Sequence, residues 1–523
     1  MKKFLSNHKD DIIGTTSGFD RLVFRGTLRR LSYKEGMRAY LWAIKVLFKD
    51  FATHVLRVTN EIKKSTEEYT QRESRPLIYL PSSNTNKAKE AQVIASATNI
   101  KEGLICVFKC VEPCYSYDIY RNKQSKLLEL VLRQRKCLFF YHYYIHPVFG
   151  FMNCRIQSWF PFPIQVCVNG KEWLSKQMDK AGIPYLKKEN CFTWIGDIAK
   201  AKSLIENQLK SSWPILLNDI AQRLNPIHDK IFQNYPIDYY WSVHQSEWAT
   251  DIMFKSSEIL DKLYSPLIRF AMVNFSSSDI MRFLGKETKL NGDVPLSFKG
   301  EIISDVRKRP EGVRIKHIKK QNSIKMYNKQ GSVLRVETTI NDPREFNVYR
   351  PKTGCEENTS QWLRMRKGVA DLHRRAKVSH SANERYLDAI GTAQNTRPLK
   401  DLSSKLCQPT IWNNKIIRAI RPLSLEDSTL LDAVSEGKFL LNGFRNRDLR
   451  DTLYKSTEID NHIKKTKKSS AVTRKIRILR GHGLVKKIPK THRYFLTQKG
   501  REAISAIQAA RFADINSLIK LAA

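Results

Sequence analysis

The chain lacks any uninterrupted apolar run of the ~18–20 residues that a helix needs to cross a bilayer, so no transmembrane helix is expected. Its first stretch, MKKFLSNHKDD, carries two lysines but no apolar core and does not read as a secretory signal. Cysteine is sparse, at nine in 523 residues, and the number is odd and scattered. That argues against a disulfide framework and for reduced thiols in a cytoplasmic setting. Acidic residues are in short supply. Fifty-one Asp and Glu face 91 Lys and Arg, leaving a formal charge of +40. A magnitude of ~2–8 suffices to keep a small domain in solution, so the excess points to a polyanionic partner. No long amphipathic basic helix and no lipidation signal accompany it, which sets a membrane surface aside. Nucleic acid is the expected partner, DNA first and structured RNA second.

What is present is enough apolar residue, 41%, for several cores. Strand-like and helix-like patterns interleave, so the expected class is α+β with an antiparallel sheet, helical middle segments and a distinct carboxy-terminal module. The expected divisions are an α+β half at 1–200, a second at 201–350, a basic helical segment with a linker at 351–425, and the terminal module at 426–523. Residues 12–31 read as a strand that turns at Gly26, with Asp20 near its start. A helix is expected over 34–64, where Tyr40, Ile44, Leu47 and Phe51 recur at helical spacing. Four β-branched or aromatic runs fill 103–167, and Asn169-Gly170 then opens a helix closed near Gly182. Residues 238–254 form another strand-like run, followed by a helix. GFDRLVF in the first strand and WATDIMFK in the second suggest two related halves of one sheet. A basic helix is expected over 362–391, with Arg364, Arg366, Arg374 and Arg375 as nucleic-acid contacts.

Residues 311–342 carry the most specific signal. They divide into strands at 312–318, 322–328 and 333–340, separated by the turn chemistry of Lys320-Gln321-Asn322 and Asn328-Lys329-Gln330-Gly331. The two-residue repeat of a strand puts Arg335 and Glu337 on one face. Tyr327 ends the strand before them.

The string SIKMYNKQGSVLRVETTI resembles the replication-initiation-factor family of rolling-circle plasmid and mobile-element proteins. That family shows an Ile-Arg-Ile-Tyr-Asn/Asp-Lys strand followed by an Arg-Val-Glu strand. Lys325 to Lys329 match the first and Arg335 to Glu337 the second, while Phe19-Asp20 and Ala249-Thr250-Asp251 match its aspartate-bearing strands. The resemblance implies a DNA-nicking endonuclease. Tyr327 would be its nucleophile, Lys329, Arg335 and Glu337 would share the catalytic site, and Asp20, Asp251 and Glu337 would be carboxylate ligands for Mg²⁺ or Mn²⁺. Oxygen ligands suit both ions, and a metal-polarised phosphate offsets the weak nucleophilicity of a phenol. Two other readings stand beside it. Asp20, Glu337 and Asp388 are the carboxylates of an RNase H-like nuclease, or Tyr327 and Glu337 are ordinary strand residues of a non-catalytic RNA- or DNA-binding component of a ribonucleoprotein.

The last segment reads helix, helix, helix, strand, turn, strand, helix, an order that resembles a winged helix-turn-helix domain. From 461 to 500 it holds thirteen Lys or Arg and no Asp or Glu. In such a domain the third helix enters the major groove and the wing meets the backbone. That assigns Arg474, Lys475, Arg477 and Arg480 on the helix, and Lys486, Lys487, Lys490, His492 and Arg493 on the wing, to nucleic acid. Weaker signals are the spacing of Cys106, Cys110 and Cys114, the pair His142 and His146, and the aromatic density at 139–160 together with Trp241 and Trp248. Core packing is the expected role for most of these.

Overall fold

In the computed structural model the described residues are 1–523 except 210, 276, 286–300, 310–311, 353–359, 392–402, 437–438, 440–442, 455–461, 489–490 and 514–523. Lys490 lies outside them. The fold is α+β. Its helices and its mostly antiparallel, mixed sheet divide between two compact units. The first unit comprises Met1–Ile12, Phe254–Val336 and Ser381–Ala523, and the second Ile13–Met253 and Glu337–His380. No described helix is long and apolar enough to cross a membrane.

The second unit begins after α1 (Lys2–Asn7) with the long strand β1 (Ile12–Leu28). There follow α2 (Lys34–Ala43), α3 (Phe51–Arg72), β2 (Leu77–Leu80) and α4 (Lys87–Ala97). A meander comes next: β3 (Gly103–Arg121), β4 (Leu128–His146), β5 (Gly150–Gln157) and β6 (Ile164–Asn169). Helix α5 (Gly170–Lys180), the hairpin β7 (Tyr185–Lys188) and β8 (Cys191–Ile195), and helices α6 (Ile198–Leu209), α7 (Trp213–Leu224) and α8 (His228–Ile231) lead to a second long strand, β9 (Tyr239–Phe254). Strand neighbours here run β9-β1-β6-β5-β4-β3-β2, antiparallel except that β2 runs parallel to β3.

Helices α9 (Ser257–Asn274) and α10 (Ser277–Phe283) follow in the first unit. Its meander is β10 (Ile302–Arg309), β11 (Gly312–Lys319), β12 (Asn322–Lys329) and β13 (Val333–Ile340), whose last four residues belong to the second unit beside β9. The order long strand, helices, four-stranded meander, with the last strand returning beside the first, therefore occurs twice along the chain. The three focal strands fall where the alternation places them, and the β12–β13 turn closes with Gln330 and Gly331 both at positive φ, +55° and +80°. After β13 come the hairpin β14 (Asn347–Arg350) and β15 (Gln361–Arg364), helix α11 (Leu372–Ile390), and the small hairpin β16 (Thr410–Trp412) and β17 (Lys415–Ile417). The carboxy-terminal module comprises α12 (Leu425–Ser435), α13 (Asn446–Leu453), α14 (His462–Gly481), β18 (Val485–Lys487), β19 (Tyr494–Leu496) and α15 (Gln498–Phe512). Leu430, Leu449, Val472, Ile476, Leu479 and Ile504 close its own core, and Phe444 makes an isolated antiparallel bridge to Tyr494 of β19.

Three sequence expectations are corrected. β1 does not turn at Gly26 but runs on to Leu28, because a Cβ there would lie 2.8 Å from the indole of Trp241. Glycine at that place admits a tryptophan. The helix expected over 34–64 is two helices, broken over residues 44–50, with Lys45 at positive φ. The basic helix starts at Leu372, not 362, because residues 361–364 pair with 347–350 as a strand.

His54, His142 and His317 are buried, and loss of water pushes their imidazoles down to about 4, 3 and 4. The unfolded chain holds these protons more tightly, with a pKa of ~6.5. Stability is therefore fully present above ~6.5 and is lost as pH falls towards 4. Urea midpoints are expected to drop between pH 7.5 and 5.0, and His142→Phe to flatten that dependence. An unchanged slope in the variant refutes this account of His142.

Candidate functional site

The geometry of the site follows from how β1 and β9 line up. Ser17 Oγ donates to Thr250 Oγ1 at 3.0 Å, Phe19 packs on Trp248 with ring centres 4.9 Å apart, and Gly26 lies under Trp241. These pairs step in opposite directions along the two strands, which places Asp20 across from Glu247. Glu337 stands on β13, the neighbour of β9 on its other side. Three adjacent strands thus each contribute one carboxylate. One oxygen from each of Asp20, Glu247 and Glu337 lies within 4.8 Å of the others, the one such cluster among the described residues. Asp20 and Glu337 are buried and Glu247 is half-buried. All three belong to the second unit. An oxygen-only donor set of this spacing fits a hard divalent cation, which binds carboxylate oxygen at ~2.0–2.6 Å.

Asp251 is placed elsewhere. It stands four residues beyond Glu247, and its carboxylate accepts from Lys171 Nζ at 2.6 Å with both side chains almost fully buried. Lys171 gets there through Gly170, whose missing Cβ would lie 1.8 Å from the Phe19 carbonyl oxygen. Asn169 caps that helix start, accepting from the backbone N–H of Lys171 and Glu172 at 2.8 and 3.2 Å. The β7–β8 turn brings Asn190 to Asp20, with Nδ2 donating to Oδ1 at 2.9 Å. The guanidinium of Arg21 is held above its ordinary value, first by the Cys167 sulfur, to which Nε donates at 3.4 Å, and further by Glu247 and Asp20.

Glu247 was missed in the sequence. Its signal is the strand repeat, which gives it the same face as Asp251, and its place across from Asp20. Tyr327, Lys329 and Arg335 lie in the first unit. Tyr327 is 7% exposed and pairs in register with Arg314. Arg335 is as buried as Glu337, at 1%. Every residue of β13 is buried, so neither face of that strand is a solvent surface. Asp388 is half-exposed on α11 in the first unit and is not in the carboxylate cluster.

The cationic residues sort by exposure. On α14, Lys467, Ser470, Thr473, Arg474 and Arg477 form one exposed stripe opposite the buried Val472, Ile476 and Leu479. Lys486 and Lys487 are exposed on β18, and His492 is exposed just before β19. Lys475 instead pairs with Glu426, Arg480 lies 4.7 Å over the Trp412 ring, and Arg493 is buried and donates to the Gly443 carbonyl. Arg364 is exposed. Arg366 and Arg374 bind Asp371, and Arg375 is wholly buried. Cys106, Cys110 and Cys114 lie on a strand, and His142, Trp241 and Trp248 are core residues.

No family model matches the chain, and no curated protein or solved structure matches it.

Removing one member of the buried ion pair leaves the other charge unpaired. Lys171→Met is expected to lower unfolding free energy by ~3–5 kcal/mol, and adding Asp251→Asn to recover part of it. Urea denaturation of the two variants checks this. A single variant as stable as the parent refutes it.

Proposed function

We propose that this protein is a metal-dependent endonuclease that nicks DNA, with Asp20, Glu247 and Glu337, all of the second unit, as metal ligands. The carrying observation is the convergence of three carboxylates from three adjacent strands in a chain of charge +40. The resemblance of residues 323–340 to replication initiation factors supplies the tyrosine. Mg²⁺ or Mn²⁺ at the cluster would polarise the scissile phosphate.

The residues have separate tasks. Asn190 orients Asp20 through its hydrogen bond. The Lys171–Asp251 pair anchors α5 to β9. In the reaction that this resemblance implies, the Tyr327 phenol oxygen attacks phosphorus and loses its proton to water. The bond to the 3′ oxygen breaks, that oxygen takes up a proton, and the 5′ phosphate stays on the tyrosine as a phosphodiester. Lys329 is assigned to the flanking charge by the same resemblance, and Arg335, buried within β13, is assigned no contact with DNA. The exposed stripe of α14 and the wing lysines are assigned to duplex DNA.

Incubation with supercoiled and single-stranded DNA and Mg²⁺ or Mn²⁺ is expected to give nicks and a covalent adduct. Tyr327→Phe should abolish both, and Glu247→Gln should slow nicking by ~100-fold or more. Full nicking by Glu247→Gln, or an adduct that survives Tyr327→Phe, overturns the reading.

Duplex binding read by anisotropy across a salt series tests the module. Arg474→Ala with Arg477→Ala is expected to reduce the slope of log affinity against log salt by ~2. Arg480→Ala should leave that slope unchanged. Equal slopes in all three proteins refute the assignment.

A further inference from the structure

The β14–β15 hairpin inverts the usual placement of its side chains. Tyr349 lies opposite Trp362 in register, and Asn347 opposite Arg364. All four are exposed, Tyr349 at 60% and Trp362 at 71%. The two rings meet edge to face, 5.9 Å apart. The other face buries Val348 and Arg350 and half-buries Leu363. The small aliphatic residues point inward and the large aromatic ones outward, so the exposure does not come from a lack of apolar residues for the inner face.

The stem beneath the rings is held rigid. Arg350 donates from Nε and Nη2 to the Arg364 carbonyl at 3.0 and 2.8 Å, and from Nη1 to the Pro351 carbonyl at 2.9 Å. Asp371 is fully buried and accepts from the Arg366 backbone N–H and from Arg374 Nη1, both at 2.9 Å. Arg374 Nε also reaches the Tyr349 carbonyl at 3.3 Å. Beyond β15, Lys367 accepts from the Val243 backbone N–H at 2.7 Å, and Gly368 bridges to Ser242, so the hairpin stem is tied to β9, the strand of Glu247. The strands of the hairpin contain arginine but no Asp or Glu, and Lys352 and Lys367 flank it, both exposed.

Adjacent exposed rings on a rigid, cationic support are suited to the faces of bases, and a duplex hides those faces inside its stack. We propose that Tyr349 and Trp362 form a stacking platform for the unpaired bases of a single-stranded nucleic acid, with Arg364 meeting its backbone phosphate. The proposal rests on the nucleic-acid part of the function above and not on cleavage. It adds a single-strand site on the same unit as the carboxylates and separate from the duplex surface of α14.

The test is a titration of the full chain, in EDTA, with a fluorescein-labelled dT12 strand and with a 12-base-pair duplex. Trp362→Ala is expected to weaken dT12 binding by ~10-fold and to leave the duplex unchanged, and Trp362→Phe to keep most of the affinity. Tyr349→Ala should show a smaller loss of the same selectivity. Because both side chains are exposed, the variants should keep the parent's melting temperature. Failure of the parent to bind dT12, equal dT12 binding by parent and Trp362→Ala, or equal losses on strand and duplex each overturn the platform. In the second case a protein contact becomes the use of the face. The absence of metal leaves this result independent of whether the chain nicks DNA.

Discussion

Arg375 is the interaction on which the architecture of the second unit turns. Its guanidinium is wholly buried, yet it donates to neutral oxygens: Ser246 Oγ at 3.1 Å, the Ile340 carbonyl at 3.2 Å and the Val243 carbonyl at 2.8 Å. Burial lowers it to about 10, so it remains charged at neutral pH. The three hydrogen bonds from its Nη1 and Nη2 offset the cost of burying the cation, and they join Val243 and Ser246 of β9 to Ile340 of β13. Glu247 follows Ser246 directly, and Glu337 lies three residues before Ile340. The position of two carboxylates along their strands is therefore fixed by a cation that touches neither of them.

The same device recurs at smaller scale. Lys171 and Asp251 tie α5 to β9, Asp371 gathers Arg350, Arg366 and Arg374 beneath the aromatic hairpin, and Arg418 holds Asp427 in the carboxy-terminal module. Of the large cationic excess, a part is thus structural. Among the described residues, solvent-facing cations occur on the α14 stripe, on β18 and on the aromatic hairpin, and also elsewhere, as at Lys34, Arg38, Lys45 and Lys49.

Periodicity was the most legible part of the sequence. Residues 312–340 show their three strands because alternation and turn chemistry agree there, and Asn169-Gly170 announces a helix because its cap is local. The errors arose where a distant partner decides. Gly26 signals a turn unless Trp241 is known to fill its place, and residues 361–364 are read into the helix that follows unless their strand partner fourteen residues upstream is known. In the site, Asp20 and Glu337 could be named from motif strings. Glu247 could not, because its value comes from facing Asp20. Asp251 was the more conspicuous acid and proved to be Lys171's partner. Lys475, Arg480 and Arg493 show the same limit: sequence gives a long side chain its charge but not its direction.

Neither unit is a continuous piece of chain, since the second is made of 13–253 and 337–380. Synthesis runs from the amino terminus at ~5–20 residues per second, so Asp20 and Glu247 exist for some time before Glu337 has been made. During that interval β9 lacks β13 and Arg375, and the pair of acids has neither its third member nor its alignment. The nascent chain is therefore without an assembled carboxylate cluster until Glu337 and Arg375 have been made, well past its midpoint.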